Sequence, residues 1–129
     1  MIKVVLDTNI LVSALWSKSS KPATLVHKAL EQVFAVCYDH RIMQEYTDVL
    51  NRPKFPFSQA DINDLIIGIK STGLSVIVPE IDIDFIDYDD RKFYEVAKYC
   101  DAALITGNTQ HFPTEPMIMT VSDFLDLYS

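Results

Sequence analysis

Apolar residues along this chain follow two spacings. Continuous apolar runs at residues 2–6, 34–38, 74–78, 102–106 and 117–120 read as strands. Such runs suit a parallel sheet buried on both faces. Between them, apolar positions recur every third or fourth residue, the spacing of helices with one buried face. A helix is predicted over residues 8–16. Pro22 suits the first turn of a second helix, with Val26, Ala29, Leu30 and Val33 on its buried side. Asp39 can cap a helix over residues 40–51 whose stripe is Ile42, Tyr46, Val49 and Leu50. Ser58 can cap another that carries Ile62, Leu65, Ile66 and Ile69. A helix over residues 90–99 would bury Phe93, Val96, Ala97 and Cys100, and Ser122 would cap a short last helix with Phe124, Leu125 and Leu127. The segment NRPKFPF at 51–57 is a loop, because its two prolines bar a regular element. Residues 79–87 are irregular and acidic, and residues 107–116 form a further loop.

Strands that alternate with helices imply an α/β domain: a mostly parallel sheet of about five strands between helical layers, joined by right-handed crossovers. The strand order does not follow from the pattern. With 129 residues and no repeat or linker, the expectation is a single domain over residues 1–129. An apolar content of 49% excludes a disordered chain. No apolar stretch reaches the roughly 18 residues of a membrane span, and no signal peptide precedes the first strand. Cys37 and Cys100 read as small buried thiols in a reducing compartment, so a cytoplasmic location without membrane contact is expected. A net charge of −7 argues against gripping nucleic acid by bulk charge. Acids gathered around a metal would reverse that sign locally.

The chemistry centres on the acids. Asp7 ends the first apolar run, where a buried carboxylate is costly unless something positive stands against it. In open α/β sheets such strand ends face the ligand crevice. Glu45 lies at the edge of its helix's buried stripe; the alternative is a surface glutamate paired with Arg41 one turn back. Asp90 shares the inward face of its helix, though Asp at a helix start is also a good cap, and Asp87 and Asp89 are alternatives for both roles. Asn108 lies beyond the strand at 102–106 as Asp7 lies beyond the first; a turn role suits it equally. If those strands are neighbours, the two residues face one crevice. Three carboxylates in one cleft cannot all stay ionised cheaply, and a divalent cation removes the conflict. A carboxylate-only set suits Mg²⁺ or Mn²⁺ and not zinc, and such sites typically hydrolyse phosphodiesters.

At these residues the chain resembles the PIN domain family of metal-dependent ribonucleases. The motifs are VLDTNILVSA (5–14), EYTDVL (45–50), DDRKF (89–93) and ITGNTQHFP (105–113). The resemblance is strongest to the subgroup of toxin components from toxin–antitoxin pairs. It implies a three-layer α/β/α sandwich and an endonuclease that cuts single-stranded RNA. The family's three acids fall on Asp7, Glu45 and Asp90, and its fourth acidic position falls on Asn108, a departure that removes one carboxylate from the metal set. Asn9 matches a polar residue that orients the first acid, and Thr106 a hydroxyl near the site. A homodimer and an antitoxin partner are further implications. Arg91 and Lys92 would border the cleft, and His111 could meet a phosphate.

Two other readings compete. A binding module that holds RNA or a partner without cutting it is motivated by Asn108. An aspartyl-nucleophile phosphatase would need a second Asp two residues after Asp7, where this chain has Asn9.

Overall fold

The first strand, β1 (Ile2–Leu6), is buried on both faces from Val4 onward and runs up the middle of the sheet. The computed structural model describes residues 1–79 and 87–128. Helices α1 (Thr8–Trp16) and α2 (Lys21–Leu30) lead to β2 (Phe34–Tyr38); α3 (His40–Leu50) and α4 (Gln59–Thr72) lead to β3 (Leu74–Ser75). Helix α5 (Tyr88–Cys100) then precedes β4 (Ala103–Ile105), a 3₁₀ turn at Thr109–His111, β5 (Ile118–Met119) and α6 (Val121–Tyr128).

The five strands are all parallel, in the order β3-β2-β1-β4-β5. Two crossovers carry the chain from β1 out to β3 in one direction, and the third returns it past β1 to β4. Right-handed connections then put α5 on the face opposite α1, α2 and α4, which makes the three-layer α/β/α sandwich, and α3 reaches from α1 and α4 to α5. Accordingly α5 packs on β1, β2 and β4, while α2 packs against α1, α4 and α6. The reversal lies between β1 and β4, the topological switch point where open sheets form their ligand crevice.

Local chemistry explains the boundaries. Ser20 accepts the Ala23 N–H at 3.3 Å and starts α2, with Pro22 in its first turn. Asp39 accepts the Ile42 N–H at 3.0 Å, and Ser58 the Asp61 N–H at 3.1 Å, as predicted. The strands expected over 102–106 and 117–120 shorten to Ala103–Ile105 and Ile118–Met119, and four other expectations fail. The strand predicted over 74–78 is only Leu74–Ser75, because it is the sheet edge: Val76 still donates to the Tyr38 carbonyl at 2.9 Å, but Ile77 is 90% exposed. Val33 lies beyond α2 and is half exposed, so it is not part of that helix's buried side. Helix α5 starts at Tyr88 and not at Asp90, because Asp87, one of the alternative caps, takes that role and accepts the Asp89 N–H at 3.4 Å. Thr120, not Ser122, receives the Asp123 N–H at the start of α6, at 3.2 Å; the Ser122 hydroxyl takes the Lys21 ammonium at 3.3 Å. The irregular acidic segment expected at 79–87 falls mostly outside the described residues.

The two cysteines are buried free thiols. Burial, and then the neighbouring Cys100, push the Cys37 thiol up to about 12, which leaves it inert at neutral pH. Phe55 stacks on Phe57 at 5.1 Å and both meet Trp16 edge-on, so these rings pack the proline-rich loop. Gly73 ends α4 where the chain passes β2. A Cβ there would stand 2.5 Å from the Val36 carbonyl oxygen and 2.7 Å from that of Ile69. Both obstacles are backbone and cannot rotate away. Gly73→Ala is therefore expected to cost about 1–3 kcal/mol by overpacking, measured by urea unfolding.

Candidate active site at the carboxyl ends of β1 and β4

Because β1 and β4 are hydrogen-bonded neighbours, their ends open on one crevice. The Asp7 N–H donates to the Ile105 carbonyl at 3.0 Å, which locks the two ends in register. Asp7 is only 7% exposed. Its Oδ2 accepts the Thr106 hydroxyl at 2.8 Å, and the Thr106 oxygen accepts the Asn108 N–H at 3.0 Å. One buried hydroxyl thus ties the carboxylate to the loop after β4. Burial raises the Asp7 pKa; the Thr106 hydroxyl opposes this, the Glu45 charge adds to it, and the Thr8 and Asn9 N–H groups at the start of α1 oppose it again. Asn9 acts through its backbone, and its side chain is exposed.

Glu45 reaches the same crevice because Tyr46 anchors α3 to β1. The Tyr46 hydroxyl, wholly buried, donates to the Leu6 carbonyl at 2.5 Å, one residue before Asp7. The glutamate then turns toward α1 and α5. Its Oε2 accepts the Thr8 hydroxyl, and its Oε1 lies 2.8 Å from the Lys92 ammonium. The alternative partner, Arg41, is engaged elsewhere. Arg41 Nε and Nη2 hold Asp39 Oδ2 at 2.8 and 2.7 Å, and Nη1 holds Glu95 Oε1 at 2.9 Å. Asp39 and Glu95 are both buried. This clamp fixes α3 against α5 and hence the spacing between Glu45 and the start of α5.

Asp90 sits in the first turn of α5, half-buried. Burial raises its pKa first and the Asp7 charge second; His111, with Nδ1 3.6 Å from Asp90 Oδ2, and Lys92 pull it down. Asp7 thus feels Glu45, and Asp90 feels Asp7. The donor set fits a hard divalent cation in kind: carboxylate oxygens from Asp7, Glu45 and Asp90 and an amide oxygen from Asn108, without thiolate or a histidine triad. Burial is the first cause of both raised carboxyls and a neighbouring acid adds to it, a repulsion that a bound divalent ion would relieve. Among the described residues, however, no three His, Cys, Asp or Glu side chains stand together as a finished metal cage. Glu45 lies on Lys92 instead.

Thr8, Glu95 and the Lys92–Glu45 pair escape a reading of the sequence. Thr8 looks like an ordinary first helical residue. Glu95 interrupts the apolar stripe of α5 and would normally face water, yet residues 93–97 are all buried there. Beside the acids, α3 and α5 enclose a groove of about 370 Å³ lined by Gln44, Arg52, Tyr88 and Arg91 among others. No helix among the described residues is long and apolar enough to cross a membrane.

No curated protein and no solved structure matches the chain. The family model of the PIN domain matches residues 3–110. That span holds β1 through β4, the crevice and all the acids described above. The chain therefore belongs to the PIN domain family.

Proposed function

We propose that this PIN domain is a Mg²⁺- or Mn²⁺-dependent endoribonuclease that hydrolyses phosphodiester bonds of single-stranded RNA. PIN domains are generally nucleases. The observation that carries the reading is Asp7: a buried carboxylate at the switch point whose pKa is raised partly by Glu45, and whose charge in turn raises Asp90. Asp7, Glu45, Asp90 and Asn108 would hold the ion. The chemistry such an ion supplies is activation of water at neutral pH and neutralisation of charge building on a phosphate. The chain's own residues prepare the site. Thr106 orients Asp7, Tyr46 and Thr8 orient Glu45, and the Arg41 clamp sets the distance between α3 and α5. With a net charge of −7 the substrate cannot be held by bulk attraction. Grip falls to the ion and to nearby cations such as Arg52 and Arg91. In the same reading the chain is the toxin of a toxin–antitoxin pair, working in the cytoplasm as a homodimer with an antitoxin as partner. The motif resemblance is the support for those roles.

Purified protein should cut end-labelled single-stranded RNA internally when Mg²⁺ or Mn²⁺ is added, and EDTA should stop it. A second reading, an RNA-binding module without catalysis, is favoured by Asn108 and by the engagement of Glu45 with Lys92. RNA that is retained but stays intact at every Mn²⁺ concentration would select it. RNA neither bound nor cut would remove both.

A further inference from the structure

We propose that Lys92 is the resident counter-ion of the acidic crevice: its ammonium holds Glu45 while no divalent ion is bound, and must leave Glu45 for one to bind. The inference rests on the metal-dependent reading above and deepens it. Lys92 is not a solvated surface lysine. Its side chain is 12% exposed, its Nζ lies 2.8 Å from Glu45 Oε1, and it also donates to the Asp89 carbonyl. The other Glu45 oxygen accepts the Thr8 hydroxyl. Each oxygen of the glutamate therefore already has a partner, and a cation approaching Oε1 is repelled by the ammonium charge 2.8 Å away until the lysine moves.

The exchange is chemically reasonable. A lysine ammonium is a point charge on a flexible stem, unlike the rigid fork of an arginine, and can swing aside without moving the helix. Its anchor on Asp89 lies on the same helical turn as Asp90, so a released ammonium stays beside the crevice, where a substrate phosphate can take it. With the ammonium moved aside, Asp7, Glu45 and Asp90 present three carboxylates to an incoming divalent ion, and Asn108 adds no charge.

Titration calorimetry with Mn²⁺ tests this without reference to catalysis. The proteins are the parent chain, Lys92→Met, Lys92→Gln, Lys92→Arg and Asp7→Asn. Removing the competitor should tighten Mn²⁺ binding by roughly tenfold in Lys92→Met and Lys92→Gln, the scale of one partly shielded ion pair. Lys92→Arg should bind no more tightly than the parent, and Asp7→Asn should lose binding. A lysine that merely tethers α3 to α5 predicts the reverse, since loosening Glu45 would weaken the site. Mn²⁺ affinity equal to or below the parent's in both neutral variants, with folded thermal melts, overturns the inference and leaves the metal site standing. Absence of Mn²⁺ binding in the parent and in both neutral variants overturns the metal reading and the inference with it.

Discussion

Asp7→Asn is expected to reduce RNA cleavage by at least ~100-fold while raising the melting temperature by a few degrees. Both halves follow from one geometry. Losing even an outer partner of a metal ligand commonly lowers activity 10- to 100-fold, so losing a charged ligand should do more. Stability moves the other way because the charge is costly where it stands. Burial, and then Glu45, raise the Asp7 pKa above its ordinary 3.8, so the folded state holds its proton where the unfolded chain has released it. Stability contributed by protonated Asp7 is fully present at low pH. It declines as pH rises from 3.8 through the raised folded value, and the full penalty is present above that. Asn keeps an oxygen for the Thr106 hydroxyl and carries no charge to be buried. Calorimetric melts of parent and variant from about pH 4 to 7 should diverge with rising pH, the variant staying flatter. Equal cleavage by both proteins would assign the activity to a contaminant, and a variant less stable at neutral pH would contradict the assigned cause of the shift.

Arg41→Met should lower stability by about 3 kcal/mol, the cost of leaving buried carboxylates without their cation. Arg41 is held at 2.7 Å from Asp39 and 2.9 Å from Glu95. Burial works against its charge, but the two acids outweigh that and keep the guanidinium protonated. Lys at this position should recover only part of the loss, because one ammonium cannot hold two carboxylates in a fixed fork. Glu95→Gln on the Met background should recover part as well, by removing one stranded charge. Chemical unfolding of the four proteins gives the numbers. The functional consequence is separable: Arg41 touches no acid of the crevice, yet it joins the helix of Glu45 to the helix of Asp90. At a temperature where Arg41→Met is still folded, its Mn²⁺ affinity should fall. A melting temperature within a degree or two of the parent's would deny the clamp its structural role.

The acids show how far local pattern reaches. Asp7 was legible because an apolar run ending in a carboxylate is costly and therefore needs a reason. The helix caps at Asp39 and Ser58 were legible because they depend on a side chain and a backbone N–H three residues apart. Glu45 was visible only as a position at the edge of a stripe, with Arg41 its natural neighbour one turn back. The Asp39 cap and the buried Glu95 draw Arg41 away, and Glu95 approaches from 54 residues further along the chain. Lys92 was expected at the border of the cleft beside Arg91, but its pairing with Glu45 could not be read from spacing. The cap of α6 moved from Ser122 to Thr120, and β3 shrank because an edge strand lacks a second neighbour, which periodicity does not encode.

The sequence by itself determined the alternation of strands and helices, the three-layer class and the acid at the end of β1, since each depends on spacing, burial preference and chemistry within a few neighbouring residues. Only the tertiary structure decided that β1 lies between β2 and β4, that Thr106 therefore meets Asp7 and ties it to Asn108, and that Lys92 rather than Arg41 answers Glu45. Those pairings are set by strand order and by the docking of α3 on α5, contacts between segments distant in the chain, whose energies no local spacing records.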